Sequence, residues 1–430
     1  MDFTLQLWYR FTDALLQLTV QPFYYIGILL VVLQYRRQIL LERKLFHTRL
    51  HSLLQETWRL LLWGLAGGAV VSLIMAFFGA VFYAEDIILL WMVSLLLLLF
   101  RVRFLCFAYS VGILGILHTV VVLFPDLQKV QELSLVVEPL ANLHYPSLLA
   151  LVGVLHLIEA LLIRWQGVRA ASPAFYEGKR GKIVGGYYLH GFWPIPLFLI
   201  VPLHNGDAVS AATLPWVPFL GGDVWSAGWT LLALPVVIGF SEMTVSRLPG
   251  QKVRLSSGML LMYSVIMIVL AVSVEAWPII TMAAALGCIL FHEVLIWYSR
   301  WEELQRSPLY VHDERGLMIL GIVPDSPADA MGIVPGEIIY KANGMKVLSR
   351  EQLHQGLRIN PAFCKLEIIN LEGQSKFIKR AIYAGEHHEL GIILAPDSNA
   401  QYYVGFKHAH VFSYIRLNVS GLFRKKNKEA

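Results

Sequence analysis

The chain has 430 residues, of which 57% are hydrophobic and only 15% are charged, which lies well outside the composition of soluble domains. This composition excludes an ordinary soluble enzyme and predicts an integral membrane protein with room for two or three domains. The formal charge of +5 gives no reason to expect a nucleic-acid partner, and three scattered cysteines are too few for a disulfide framework or a Cys-x-x-Cys metal site.

Long apolar runs are the first elements along the chain. A hydrocarbon core about 30 Å thick needs roughly 20 apolar residues for each helical span. Hydropathy predicts spans near 17–34, 60–82, 86–100, 104–124, 147–163, 189–204, 225–241, 256–274 and 276–297. The third and sixth runs are short, so we expect a polytopic α-helical membrane domain with eight or nine spans. No cleavable signal peptide precedes the first span.

The loop after the first expected span has a helical pattern of its own. In YRRQILLERKLFHTRLHSLLQETWRL (35–60), leucines, Phe46 and Trp58 recur at helical intervals among basic residues. Such a pattern is typical of a helix in the headgroup region with Arg and Lys toward anionic lipid. The alternative is that this stretch extends the neighbouring spans into the cytoplasm.

Basic residues alternate between the two sides of the expected spans. One set of loops carries nearly all of them: Arg36, Arg37, Arg43, Lys44, Arg49, Arg59, Arg101, Arg103, Arg164, Arg169, Lys179, Arg180, Lys182, Arg247, Lys252 and Arg254. The positive-inside rule assigns this set to the cytoplasm, which predicts an external N-terminus and a cytoplasmic chain after Arg300. The assignment survives if two spans are wrong but not if one is.

Beyond Tyr310 the pattern changes to short strands and turns. Residues 316–323 predict a buried strand, and Asp325 or Ser326 is placed to cap a short helix. Asn343-Gly344 predicts a tight turn between two strands. A capping box that begins at Ser349 opens a second helix, and a further hairpin follows.

The segment VPDSPADAMGIVPGEIIYKANGMKV (323–347) resembles the signature of bacterial PDZ domains. The resemblance implies a small α+β PDZ domain over residues 305–396, between a membrane domain of residues 1–304 and a basic C-terminal tail of residues 397–430. PDZ domains bind an extended peptide by strand addition. We expect the tail to be solvated, with approach to anionic lipid as the alternative.

The resemblance points to HHELGIILAP (387–396) as the peptide-binding strand. A hydrophobic-Gly-hydrophobic loop would offer backbone amides to a terminal carboxylate, and a partner would pair with the strand that follows and pack against the second helix. The candidate peptide-binding residues are Leu390, Gly391, Ile392, Ile393, Leu394, Leu353 and Leu357. Alternatively, this is an ordinary last strand that closes the sheet. We expect His387 and His388 to be exposed turn residues.

Catalytic motifs do not fit the sequence. A site-2 type intramembrane metalloprotease needs H-E-x-x-H, and FHEVLIW supplies His292 and Glu293 but has Ile296 in place of the second histidine. Trypsin-like proteases need Gly-x-Ser-Gly-Gly, which does not occur. We therefore predict no enzyme, no metal and no cofactor.

Ionisable residues within the expected spans are functional candidates by default, because their charge is costly in lipid. The alternative is that they join helices through hydrogen bonds. The sequence leaves the roles of six such residues open: His118, His156, Glu159, Glu242, His292 and Glu293.

The whole layout resembles the MinJ-type family of polytopic PDZ proteins of Gram-positive rods, most closely in LERKLFHTRLH (41–51) and HHELGIIL (387–394). The resemblance implies a non-enzymatic scaffold in division-site selection, at the poles and septum of the plasma membrane. It implies a DivIVA-like polar coiled-coil protein and a MinD-like ATPase as partners, with other divisome membrane proteins. Two alternatives remain: an intramembrane protease with a PDZ substrate gate, and a transporter accessory subunit.

Overall fold

The computed structural model describes residues 3–178, 181–203, 213–383, 390–397, 400, 402–404 and 423–425. His387 and His388, expected to be exposed turn residues, lie outside these described residues.

Helices build most of the first 305 residues. They are α1 (Phe3–Val20), α2 (Pro22–Phe46), α3 (Leu53–Phe78), α4 (Ala84–Phe100), α5 (Phe107–Leu123), α6 (Ser134–Asn142), α7 (Tyr145–Gln166), α8 (Pro249–Ala276) and α9 (Thr281–Gln305). Proline occupies the first turn of α2, α7 and α8, where its missing N–H costs no helical hydrogen bond.

In the described part of the chain, four helices are long and apolar enough to cross a membrane: α3, α7, α8 and α9 with the turn before it. The count rises to five if α1 and α2, which meet at a 59° bend, form one span. The chain is therefore a multi-pass membrane protein, although these helices do not amount to the expected eight or nine spans. Helix α5 is apolar but shorter.

No separate helix forms in the basic loop after the first span. Helix α2 continues to Phe46, and α3 begins at Leu53 after a short break. His47 adopts a left-handed conformation (φ 57°), and its N–H is bonded to the carbonyl of Arg43. The amphipathic pattern therefore belongs to extensions of the two neighbouring helices, as in the alternative interpretation.

Two of the expected spans are strands. β2 (Ile183–Pro202) and β3 (Trp229–Thr244) form a long antiparallel hairpin, so helical spans at 189–204 and 225–241 were a wrong prediction. Continuous apolar runs of this kind fit a buried strand as well as a helix. Pro194 and Pro196 disfavour a helix, because each would remove a helical hydrogen bond.

The hairpin is the main part of a five-stranded sheet. β1 (Ala171–Glu177) pairs antiparallel with residues 183–189 of β2. Two short strands near the end of the chain, β10 (Tyr402–Val404) and β11 (Phe423–Lys425), add to the other side of β1, giving the order β11-β10-β1-β2-β3. These six residues of the expected tail therefore form part of the sheet, where Tyr403 is buried.

Beyond β1, the remaining edge of β2 is covered by α3. A Cβ added at Gly64 would lie 2.2 Å from the carbonyl oxygen of Pro194, and one at Gly68 would lie 2.3 Å from that of Pro196. Only glycine allows a helix and a strand to approach this closely.

The backbone N–H of Phe198 on the same edge of β2 has a hydrogen-bond partner in α3. The Phe198 N–H donates to the hydroxyl of Ser72, one helical turn beyond Gly68, at 2.9 Å. Because alternate residues of a strand direct their backbone groups to the same edge, Pro194 and Pro196 occupy the positions whose N–H would also have faced α3. Between residues 194 and 198, two prolines and one serine thus account for the N–H positions that face α3.

The C-terminal region is β-rich. It contains β4 (Leu317–Ile322), α10 (Pro327–Ala330), β5 (Ile338–Ala342), β6 (Met345–Lys346), α11 (Arg350–Arg358), β7 (Phe363–Ile369), β8 (Ser375–Ala381) and β9 (Ile392–Leu394). The sheet order is β8-β7-β5-β4-β9, with β6 beside β5. The predicted turn is confirmed, with positive φ at Asn343 and Gly344. Ser326 and Ser349 cap α10 and α11 as predicted, each accepting a backbone N–H.

This region packs against the base of the hairpin. The Gly185 N–H donates to the carbonyl of Tyr310 at 3.0 Å, and the Tyr187 hydroxyl donates to the carbonyl of Leu320. The rings of Tyr187 and Tyr310 meet edge to face at 5.4 Å. The membrane helices, the hairpin and one face of the C-terminal sheet consequently share one apolar core.

Candidate functional site

Strand β9 forms one edge of the C-terminal sheet. Its pairing is antiparallel to β4, with Ile319 opposite Leu394 and Ile322 opposite Ile392. Among the residues that the structure describes, no strand pairs with the other side of β9. An edge of this kind can accept an added strand.

The backbone of β9 alternates between the two sides. The Gly391 carbonyl accepts from the Val323 N–H at 2.8 Å, and the Ala395 N–H donates to the Met318 carbonyl at 2.9 Å. Residues 391 and 395 therefore direct their bonded groups toward the β4 side. By alternation, the backbone groups of Ile392 and Leu394 point away from β4, toward the open edge.

Gly391 connects this edge to the short helix α10. Its φ is +77°, in the left-handed region that favours glycine, and an added Cβ would lie 2.2 Å from the Cβ of Ser326. The preceding carbonyl, of Leu390, accepts from the Ala328 N–H at 2.9 Å. Residues 390 and 391, directly before β9, are therefore fixed against the start of α10.

The structure gathers most of the candidate peptide-binding side chains into one place. Five of the seven belong to a single apolar cluster in the C-terminal region: Leu353, Leu357, Leu390, Ile392 and Leu394. Leu353 and Leu390 are buried, whereas the other three are partly exposed. Ile393 lies in the larger core shared with the membrane helices, on the opposite face of the strand.

Helix α11 is held beside the sheet by backbone contacts. A Cβ added at Gly356 would lie 2.9 Å from the Cβ of Ala342, so the helix lies directly on β5. The Asn343 side chain donates to the Gly356 carbonyl at 3.0 Å and accepts from the Lys365 N–H at 2.8 Å. The turn predicted from sequence therefore also positions the helix that carries Leu357.

The third cysteine has a packing role. Cys364 is buried in β7, and this burial raises its pKa to about 11. The thiol therefore remains protonated at neutral pH and behaves as a small apolar side chain.

The ionisable residues within the membrane helices divide into separate groups. Glu242 of β3 accepts from the hydroxyls of Ser256 at 2.5 Å and Ser299 at 3.1 Å, with the Lys252 ammonium 3.5 Å away. This network joins the hairpin to α8 and α9. His118 is bonded through Nδ1 to the carbonyl of Leu140 at 2.6 Å. Both groups join elements together, as in the alternative interpretation.

His156 and His292 belong to another group, which sequence reasoning did not predict. Both Nε2 atoms face the thiol of Cys106, at 3.2 Å and 3.5 Å respectively. Glu159 lies close by, with a carboxylate oxygen 4.0 Å from Nε2 of His156. No local sequence motif links these residues, because Cys106 lies 50 residues from His156 and 186 from His292 in sequence.

This cluster borders a cavity of about 730 Å³ between the hairpin and the helices. The cavity wall includes Cys106, His156, Glu159 and His292, together with charged residues from α2 and α8. His190 of β2 also lines it and is almost fully buried, with neither ring nitrogen hydrogen-bonded to a described residue. The membrane region therefore contains a cavity with a partly polar lining.

Comparison with known proteins relates the chain to cell division. It is 29% identical over 365 residues to the "Cell division topological determinant MinJ" of Bacillus subtilis (strain 168), covering 83% of this chain and 87% of that relative. Proteins from Lacticaseibacillus paracasei and Lacticaseibacillus casei (strain BD-II), each described as "Probable cell division topological determinant MinJ", are 26% identical over 367 residues, 84% of this chain and 91% of each relative.

The chain is therefore homologous to the MinJ cell division topological determinants. No family model matches the chain, and no solved structure matches it.

Proposed function

We propose that the chain is a membrane-anchored, non-enzymatic scaffold in division-site selection, and that it recruits partners through the open edge of β9. The homology to MinJ determinants supports the role in cell division. The proposed binding site rests on one observation. β9 is an edge strand with no strand partner on its outer side in the described residues, and it lies beside an apolar cluster that includes Leu353 and Leu357 of α11.

In this proposal, residues 305–396 form a PDZ domain. A partner segment adds to β9 as a further strand, and its backbone pairs with the outward groups of Ile392 and Leu394. Its side chains pack against Leu357, while the loop at Gly391 receives the end of the partner segment. Main-chain hydrogen bonds supply affinity, and the apolar contacts supply specificity.

We further propose that this domain faces the cytoplasm and that the N-terminus is external. The hairpin replaces two expected spans and returns to the side on which it began. The basic loops before and after it, with Arg169 and Arg247, therefore keep the same side, as the positive-inside rule requires.

The proposed partners are a DivIVA-like polar coiled-coil protein and a MinD-like ATPase at poles and septum, with other divisome membrane proteins. All act close to the same bilayer, so anchoring raises the effective concentration of each contact above that in free solution. The basic residues after 396 would add contacts with anionic lipid.

The test places a charge in the proposed binding groove, which lies between the open edge of β9 and α11. Leu357→Glu introduces a carboxylate at a half-exposed apolar position, whereas Gln355→Glu introduces the same charge on the exposed side of the same helix. We expect Leu357→Glu to disperse a fluorescently labelled MinD-like ATPase from the septum. Gln355→Glu should leave its localisation unchanged.

Both variants should accumulate in the membrane fraction at wild-type levels. Unchanged septal recruitment by Leu357→Glu would show that this groove does not bind the partner. A Gly391→Val change is a harsher probe, because its side chain collides with Ser326 and disturbs α10 as well.

A further inference from the structure

The side chains of Cys106, His156 and His292 come from three separate elements of the membrane region. Cys106 immediately precedes α5, His156 lies in α7 and His292 lies in α9. One potential ligand atom from each residue falls within 4.8 Å of the other two. A thiolate and two imidazoles form a ligand set that transition metals such as zinc prefer.

The spacing of these atoms fits a metal centre. Zinc bonds to sulfur at about 2.3 Å and to imidazole nitrogen at about 2.0–2.1 Å, so tetrahedral ligand atoms are separated by roughly 3.5 Å. The sulfur of Cys106 lies 3.2 Å and 3.5 Å from the two Nε2 atoms. These two separations match those of a zinc centre, and the ligand atoms of the three residues all lie within 4.8 Å of one another.

The hydrogen bonds behind each ring fix the tautomer that a ligand needs. Nδ1 of His156 lies 2.7 Å from the Val152 carbonyl, which only accepts, so Nδ1 carries the proton and Nε2 has a free lone pair. A metal-binding histidine typically donates its other N–H in this way.

His292 is fixed through a longer chain of contacts. The Tyr109 hydroxyl donates to the Glu293 carboxylate at 2.7 Å, and Arg103 lies 2.9 Å from the same carboxylate. The hydroxyl oxygen therefore accepts from Nδ1 of His292 at 3.2 Å, which again leaves Nε2 unprotonated.

Helix association alone does not account for this arrangement. One thiol has one proton, so Cys106 can satisfy only one of the two Nε2 lone pairs that face it. A metal ion bound to the thiolate satisfies both. Glu159, whose carboxylate lies 4.0 Å from Nε2 of His156, is placed to approach as a fourth ligand.

We propose that Cys106, His156 and His292 bind a zinc-class divalent metal ion at the wall of the 730 Å³ cavity, with the fourth position directed to Glu159 or to a small ligand from the cavity. The nearby carboxylate favours zinc over copper, because copper sites built from one cysteine and two histidines typically add a weak axial Met or Gln. The site differs from H-E-x-x-H in that its two histidines come from different helices.

The test uses the full chain purified in detergent without chelators. We expect one zinc per chain by elemental analysis, and on cobalt(II) exchange a thiolate-to-metal charge-transfer band with tetrahedral d–d bands. Cys106→Ser and His292→Gln should each lower metal affinity at least tenfold, and the positioning variant Tyr109→Phe should lower it about 10- to 100-fold.

Two variants serve as matched controls. Cys288→Ser removes another buried membrane cysteine, and His118→Gln removes another membrane histidine, neither of which belongs to the cluster. Both should retain wild-type zinc. Equal zinc affinities of Cys106→Ser and wild type in competition with a chelator, or no zinc in any monodisperse preparation, would overturn the site.

A second measurement does not depend on variants that fold. Zinc should protect Cys106, which lines the cavity, from maleimide alkylation of the native chain, and its removal should restore the reaction. A cobalt-loaded protein without a thiolate band would contradict ligation by Cys106. Selective copper binding with an intense blue colour would contradict the zinc assignment.

Discussion

Several strands of this molecule have a side that no strand covers in the described residues, and two of these sides, on β2 and on β9, differ in what lies against them. Along β2, beyond the reach of β1, helix α3 lies against the backbone, with glycines at Gly64 and Gly68 and a hydroxyl at Ser72 that accepts the Phe198 N–H. Along β9, no described backbone performs this role.

The comparison separates a sheet edge that is covered within the described chain from one that is not. Buried sheet edges must satisfy their backbone groups internally, because water does not reach them. Between residues 194 and 198, the β2 edge meets this requirement for its N–H groups with two prolines and one serine hydroxyl. The β9 edge has half-exposed apolar residues beside it instead, as the proposed addition of a partner strand requires.

The largest expected effect comes from forcing α3 away from β2. Gly64→Ala and Gly68→Ala each place a methyl group against a proline carbonyl and should destabilise the folded chain by about 1–3 kcal/mol each, as overpacking does. Thermal unfolding in detergent, followed by tryptophan fluorescence, measures the loss.

Gly258→Ala is the matched control for the glycine pair. Gly258 lies in α8 with no atom within 4 Å of an added Cβ. Alanine there should stabilise slightly, by about 0.5–1 kcal/mol, because glycine is unfavourable within a helix. If all three variants behaved alike, close contact with β2 would not be the reason for these glycines.

A smaller effect is expected from Ser72→Ala, which leaves the Phe198 N–H without its acceptor. A buried unsatisfied donor should cost on the order of 1–2 kcal/mol. Ser273→Ala is the control, since the Ser273 hydroxyl only bonds back to the carbonyl of Val269 in its own helix. Equal unfolding temperatures for the two variants would show that the β2 edge does not depend on Ser72.

The smallest effect concerns β1, which covers the other part of the β2 edge. Glu42 accepts from the Ser172 hydroxyl of β1 at 2.7 Å and lies 2.6 Å from Nδ1 of His51. Burial lowers the pKa of His51, but the hydrogen bond and charge of Glu42 outweigh it, so its pKa is raised overall.

This raised pKa sets the sign of a pH effect. The stabilisation by His51 is complete below its unfolded pKa of about 6.5 and is lost as pH rises through the folded pKa. At pH 5.5 the free energy of unfolding of wild type should therefore exceed that of His51→Gln by about 1 kcal/mol or less. This difference should shrink toward pH 8.5. A difference that grows with pH would contradict the ion pair.

His312 provides an internal contrast for that experiment. Burial lowers its pKa, and its Nδ1 accepts from the Met318 N–H at 3.1 Å. Its stabilising effect is therefore present above pH 6.5 or so and is lost as pH falls below that value, opposite in sign to His51. His312→Gln should lose more stability relative to wild type at pH 8.5 than at pH 5.5.

Sequence predicted the C-terminal elements well because short-range chemistry specifies them. Ser326 and Ser349 cap their helices through neighbours three residues away, and Asn343 adopts positive φ within a two-residue turn. Such signals need no knowledge of distant contacts. Five of the seven candidate peptide-binding residues also lie in one cluster, whereas Ile393 points to the other face of the strand and lies in the shared core.

The hairpin and the cysteine–histidine cluster could not be predicted in the same way. Hydropathy measures how apolar a segment is, not whether its backbone bonds to itself or to another strand. Pro194 and Pro196, two residues apart, were the sequence feature that argued against a helix in this segment. The cluster depends on how three distant elements pack, so the pattern around His292 alone suggested an incomplete motif.

The return of β10 to β1 has a mechanical consequence. Because Val404 lies opposite Tyr176, the chain enters the C-terminal region from α9 and leaves it into the sheet of the membrane region. A domain attached by one flexible linker samples many positions and orientations relative to the rest of the protein. A region tied to the membrane region at both ends has fewer positions available to it, so the β9 edge stays within a restricted distance of the membrane helices.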